Sequence, residues 1–166
     1  MLGQVEEKVM AKDIRAHLQH ETVSELDSPP GVRVGPSATV REAIALMQQH
    51  RTGCVLVCDE KKLLGIFTEK DYVQRVLGAR RDLDTPISEC MSAKPVTVRS
   101  SDSIATLVQR IHRGRYRRIP VVSESGEVVG CVSVRNLVHH LAEHFPAAVY
   151  NLAPVSKPMQ HDREGA

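Results

Sequence analysis

Between Thr39 and Leu141 the chain switches twice between two spacings of apolar residues. Val40, Ala43, Ile44 and Met47 recur at i, i+3, i+4 and i+7, which places them on one face of an amphipathic helix. Two short apolar runs follow, CVLVC from Cys54 and LLGIF from Leu63, separated by the polar DEKK, and read as two strands joined by a tight turn. A second helical pattern then carries Tyr72, Val73, Val76 and Leu77. The same order returns later in the chain. Ile104, Leu107, Val108 and Ile111 predict a helix, RIPVV and VVGCV two strands around SESGE, and Leu137, Val138 and Leu141 a closing helix.

The two halves are also similar residue by residue. VSELDSPPGVRV from Val23 aligns with ISECMSAKPVTV from Ile87 at an offset of 64, which becomes 65 after one extra residue near the end of the second unit's first helix. Each unit therefore reads strand, helix, strand, strand, helix. One such unit has little interior of its own, whereas two can bury their sheet faces against each other. The expected fold is α/β (α+β), two repeats packed with pseudo-twofold symmetry. The expected boundaries are an N-terminal helical extension (1–21), a first repeat (22–79), a linker (80–86), a second repeat (87–143) and an extended, proline-containing tail (144–166).

Composition narrows the function classes. With aromatic residues at 3% and no Trp, the core must be aliphatic, and a formal charge of +2 over 166 residues disfavours a general polyanion binder. No segment has the roughly 18 apolar residues of a membrane span, and the charged start MLGQVEEKVMAKD lacks a signal peptide's apolar run. Cys54, Cys58, Cys90 and Cys131 form no CxxC pair. Three of them sit in apolar strand runs, so buried, unreactive thiols in a cytoplasmic protein are expected.

The last strand of each repeat runs into its closing helix through a related motif, GIFTEKD from Gly65 and GCVSVRN from Gly130. With RRIPVV and the duplicated order, these motifs resemble a tandem CBS-domain pair, the Bateman module, over roughly residues 22–143. The resemblance implies a regulatory sensor of adenine nucleotides rather than an enzyme, here a pair standing alone, with an unknown regulated partner and no required cofactor. CBS pairs resemble discs that pack through their helices. A homodimer is therefore expected through apolar surplus at Val73, Leu77, Val138 and Leu141.

The chemistry of TEKD agrees with a nucleotide site. Thr68 leaves a strand and Asp71 falls in the first turn of a helix, whose free N–H groups and partial positive charge suit a phosphate. The Thr68 hydroxyl can donate to that phosphate, and the Asp71 carboxylate can accept from two ribose hydroxyls. The same tetrapeptide is also an ordinary helix cap. The resemblance further implies that Arg117 and Arg118, before Pro120, reach a nucleotide held by the opposite repeat, with Ile66 and Val96 against the adenine. Arg113 and Arg115 read as a solvated helix end. A second, weaker site would use Ser133 and Asn136, where the charge is lost and Thr52 and Gly53 stand where cations are wanted, with Arg51 one step displaced.

Other signals are slight. His139, His140 and His144 lie on the last helix, the latter two at i, i+4, but no acidic or cysteine ligand is placed beside them by the sequence, so surface histidines and no metal are expected. No phosphate-binding glycine loop or activated nucleophile is found. Two further readings stay open: a purely structural dimerisation module, and a nucleic-acid binder using the Arg110–Arg118 cluster, which charge and aromatic content disfavour. The sequence does not choose among AMP, ADP, ATP or other adenosine ligands.

Overall fold

The computed structural model describes residues 2–146 and 149. Past Pro146, the expected tail lies almost entirely outside the described residues. Helix α1 (Leu2–His20) precedes the first repeat, which runs β1 (Arg33–Val34), α2 (Val40–Gln49), β2 (Cys54–Asp59), β3 (Lys62–Thr68) and α3 (Glu69–Asp71). The last of these continues directly into a π-helix, Tyr72–Leu77. After β4 (Ser92–Ala93), the second repeat runs β5 (Val98–Arg99), α4 (Ile104–Gly114), β6 (Arg118–Val122), β7 (Val128–Ser133) and α5 (Val134–His144). The order is the strand, helix, strand, strand, helix expected from the hydrophobic pattern, twice.

Two sheets result, β1-β2-β3-β4 and β5-β6-β7. In each, the first strand pairs parallel with the second across its helix, and a hairpin adds the third antiparallel. Side-chain alternation along β2 builds two layers at once. Val55 and Val57 point into the first repeat's core with Phe67, while Cys54, Leu56 and Cys58 form a separate layer with Ile66 and, from the second repeat, Val128 and Cys131. That shared layer explains why every residue of β2 from Cys54 to Cys58 is buried, and it is where the repeats meet.

The cores do not follow the sequence boundaries. Ile87 and Cys90, from the start of the second repeat, complete the core of the first. Val23 and Leu26, from the start of the first, complete the core of the second around Ile104, Leu107 and Ile119. Backbone bonds fix the exchange reciprocally: Val40 N–H donates to Thr85 O (3.0 Å) and Ile87 N–H to Ala38 O (2.7 Å), while Val23 N–H donates to Asp102 O and Ile104 N–H to Glu21 O (both 2.9 Å). Each repeat thus carries a piece of the other.

The closing helices carry most of the expected apolar surplus. The first is wound as a π-helix, with Gly78 N–H donating to Val73 O; Val76 is buried in it, and Val73 (57% exposed) and Leu77 (55%) face solvent as expected. In the second, Val138 is exposed as expected, but Leu141 packs against the second core and is not surplus.

Candidate functional site

Thr68 and Asp71 form a capping box. Asp71 N–H donates to Thr68 Oγ1 (3.2 Å), and Asp71 Oδ2 accepts from Thr68 N (3.0 Å) and Thr68 Oγ1 (2.6 Å). The other carboxylate oxygen accepts from Ser92 Oγ (2.8 Å) and lies 3.4 Å from Arg75 Nε. Asp71 is 7% exposed, and its lone pairs are largely committed within the protein. The free helix N–H groups expected to meet a phosphate are mostly taken as well, since Glu69 N–H donates to Gly53 O (3.3 Å). This local order ties the helix start to β2 and β4.

The open space lies one residue away. A cavity of about 420 Å³ is lined by Ile44, Met47, Gln48, Tyr72, Arg51, Thr52, Gly53, Glu69 and Arg118. Arg118 comes from the second repeat and the other residues from the first. The position equivalent to Arg118 in the first repeat is Gly53, and a Cβ there would meet the Arg118 Nη2 at 3.2 Å and Glu69 at 3.1 Å. Gly53 therefore leaves the room into which the opposite repeat sends its guanidinium. Among the described residues Arg118 has no carboxylate in ion-pairing range, unlike Arg41, Arg75, Arg81, Arg99 and Arg110.

Of the residues proposed from sequence, only Arg118 lines this cavity. Thr68 and Asp71 stand just behind Glu69. Ile66 is buried in the layer between the repeats, Pro120 is buried in β6 opposite Cys131, Val96 is exposed in the connection from β4 to β5, and Arg117 is exposed before β6. Sequence reasoning missed Glu69 as a cavity residue and Gly53 as its clearing. The signal available was the repeat alignment, which sets Gly53 against Arg118. Arg51, Thr52 and Gly53, which the sequence pattern assigns to the other cleft, line this one.

The second repeat repeats the cap without a charge. Asn136 Oδ1 accepts from Ser133 N (2.9 Å) and Ser133 Oγ (2.5 Å), and Asn136 Nδ2 donates to Asp27 O (2.8 Å). Its side chain is spent on holding the 23–27 segment to α5.

The thiols are less uniform than expected. All four are buried and unpaired, but Cys54 Sγ lies 4.0 Å from Cys131 Sγ across the repeats. The Cys131 S–H stabilises a Cys54 thiolate, helped by the Arg118 charge and the Thr52 hydroxyl, and holds the Cys54 thiol below the ordinary thiol range against the pull of burial. Cys131 is pushed up in turn by the same bond and by burial, and burial raises Cys58. Because the folded Cys54 loses its proton before an unfolded cysteine does, its contribution to stability grows as pH rises toward the ordinary thiol range and is lost as pH falls, while the raised Cys131 and Cys58 act in the opposite sense. In a calorimetric pH series the gap in melting temperature between wild type and Cys54→Ala should shift in favour of the wild type as pH rises toward the thiol range.

The histidines of α5 also depart from expectation. His139 is exposed, but His140 is 6% exposed and faces Glu21 and His17, which follow from the N-terminal helix.

A pair of interlocked α/β repeats, with a cation from one reaching a cleft in the other, defines a tandem-repeat module. The CBS domain family model matches residues 23–78 and again 87–143, and the chain belongs to that family. The CBS domain-containing protein YhcV of Bacillus subtilis is 34% identical over 104 residues, 63% of this chain and 74% of that protein. Among solved structures, the CBS domain protein PAE2072 from Pyrobaculum aerophilum complexed with AMP is 28% identical with a TM-score of 0.67, covering 79% of this chain and 96% of that one. The CBS-domain protein ATU1752 from Agrobacterium tumefaciens is 30% identical with a TM-score of 0.64, covering 72% and 97%. No described helix is long and apolar enough to cross a membrane.

Proposed function

We propose that this chain is a regulatory, non-catalytic CBS-pair module of the cytoplasm that binds an adenosine-containing ligand of the AMP, ADP or ATP class between its repeats and passes the bound state to a partner protein. The observation that carries the reading is the Arg118 guanidinium, brought from the second repeat into a cavity of the first and forming no ion pair among the described residues. A guanidinium held at such a mouth without an ion pair, although Glu69 lines the same cavity, can grip a phosphate with two parallel N–H bonds. The AMP in the P. aerophilum relative supports the ligand class. In this reading Arg118 and Arg117 meet the phosphate, Thr68 and Asp71 the ribose side, and Ile66, Val96 and Pro120 the surroundings of the base; Ser133 and Asn136 hold no ligand tightly. Titration calorimetry with AMP, ADP and ATP tests it, one site per chain being expected and no heat with any of the three counting against it.

A structural dimerisation module is the second reading, favoured by one fact: Thr68 and Asp71 satisfy each other in a helix cap. Dimerisation itself belongs to both readings. Val73, Leu77 and Val138 are large apolar side chains about half exposed on the closing helices, and a second copy would cover them. Light scattering at micromolar concentration should give a dimer, and Leu77→Arg should shift it to monomer.

A further inference from the structure

Two pairs of candidate metal ligands are each spaced one helical turn apart, His17 in the last turn of α1 with Glu21 just past its end, and His140 with His144 on α5. One ligand atom from each lies within 4.8 Å of all the others. Glu21 Oε2 is 2.9 Å from His17 Nε2 and 2.6 Å from His140 Nε2, and those two nitrogens are 3.3 Å apart. Protons can hold this triangle together, one imidazole N–H donating while the other ring accepts, or both donating to Glu21 Oε2, and a divalent cation can replace those protons and bind all three atoms at once. With bonds of about 2.0–2.1 Å to nitrogen, tetrahedral geometry sets ligand atoms about 3.3 Å apart. The His17–His140 separation already has that value, and the shorter carboxylate contacts would lengthen by a few tenths of an ångström.

The fourth ligand is oriented as well. His144 Nδ1 lies 2.9 Å from His140 O, a contact in which the nitrogen must donate, so its Nε2 carries the free lone pair. His144 is the last residue of α5 and exposed, its ring packs against those of His140 (centroids 4.2 Å apart) and His17 (4.8 Å), and Phe145 meets the His17 ring edge-on at 4.8 Å. Imidazole with one carboxylate suits zinc and its neighbours rather than magnesium or calcium.

We propose that His17, Glu21, His140 and His144 form a tetrahedral site for a zinc-class divalent cation that staples the N-terminal helix to the last helix of the second repeat. The site lies beside the 21–26 segment that completes the second core, so the cation would hold that segment in place. The test uses the full chain stripped with chelator and then titrated with Zn²⁺ alone, followed by Co²⁺ in its place. The expected result is one Zn²⁺ per chain, a higher melting temperature with Zn²⁺, and the intense visible absorption of four-coordinate Co²⁺. His144→Ala, at an exposed position that leaves the core intact, should weaken binding at least tenfold and remove the Co²⁺ spectrum; Glu21→Gln should do the same by a second route. Failure of the stripped wild-type chain to bind Zn²⁺ at micromolar concentration, or unchanged affinity in both variants, would overturn the proposal.

Discussion

Leu56→Ala should be among the most destabilising single changes in this protein, and it should weaken both repeats together. Leu56 is fully buried, yet it belongs to neither repeat's own core. It sits in the layer where β2 and β3 meet Val128 and Cys131 of the second repeat, close enough to the chain at Gly31 that a Cβ there would lie 2.5 Å from Leu56 Cδ1. Truncating a leucine in such a place removes the transfer term and leaves a cavity that tightly packed neighbours on two sheets cannot close, a cost of about 2–5 kcal/mol. For a chain of this size that lowers the melting temperature by roughly 5–20 °C. The form of the transition matters as much as its position. Since Val23 and Leu26 complete the second core and Ile87 and Cys90 the first, neither repeat can unfold without stripping the other. Calorimetry of Leu56→Ala should therefore show one cooperative transition with equal calorimetric and van't Hoff enthalpies. A split into two transitions would mean that the repeats are independent.

The sequence made the repeat order, the amphipathic faces and the strand pairs legible because these depend on local periodicity. Val40, Ala43 and Met47, or Ile104 and Leu107, are buried as their spacing requires. What periodicity cannot carry is exchange between distant segments. Nothing local in VSELD says that Val23 packs beside Leu107, nor in ISEC that Ile87 packs beside Val40. The π-winding of Tyr72–Leu77 was hidden for a similar reason: its apolar positions also fit an α-helix, and the difference lies in which of them meet the core. At the site, the tetrapeptide TEKD supported both a cap and a ligand contact, and the structure forms the cap. Arg118 was legible only through the family resemblance. Its clearing at Gly53 came from comparing the repeats position by position. The four-ligand cluster was out of reach, because two of its members sit on a helix more than a hundred residues from the other two.

The largest ligand effect should come from an adenine nucleotide, and two substitutions can separate binding from folding. Ligand at about a hundredfold its dissociation constant should stabilise the fold by ~2.7 kcal/mol, a melting shift of roughly 5–10 °C. Asp71→Ala would lose that shift, but ambiguously, since it also breaks the cap and the Ser92 contact and leaves buried donors unpaired. Asp71→Asn is cleaner. The second repeat already builds the same cap on Asn136 and Ser133, so the fold accepts an amide there while the charge is removed. Arg118→Gln is cleaner still, because the guanidinium forms no ion pair among the described residues, so its loss strands no carboxylate and removes only its support of the Cys54 thiol. The expected result is ligand-free melting within a few degrees of wild type for both variants, with the nucleotide shift mostly lost in each and retained in Asn136→Ala. Full retention of the shift in Arg118→Gln would place the phosphate elsewhere. Two equal sites per chain by calorimetry would show that the uncharged cap at Asn136 serves a ligand as well as Asp71 does.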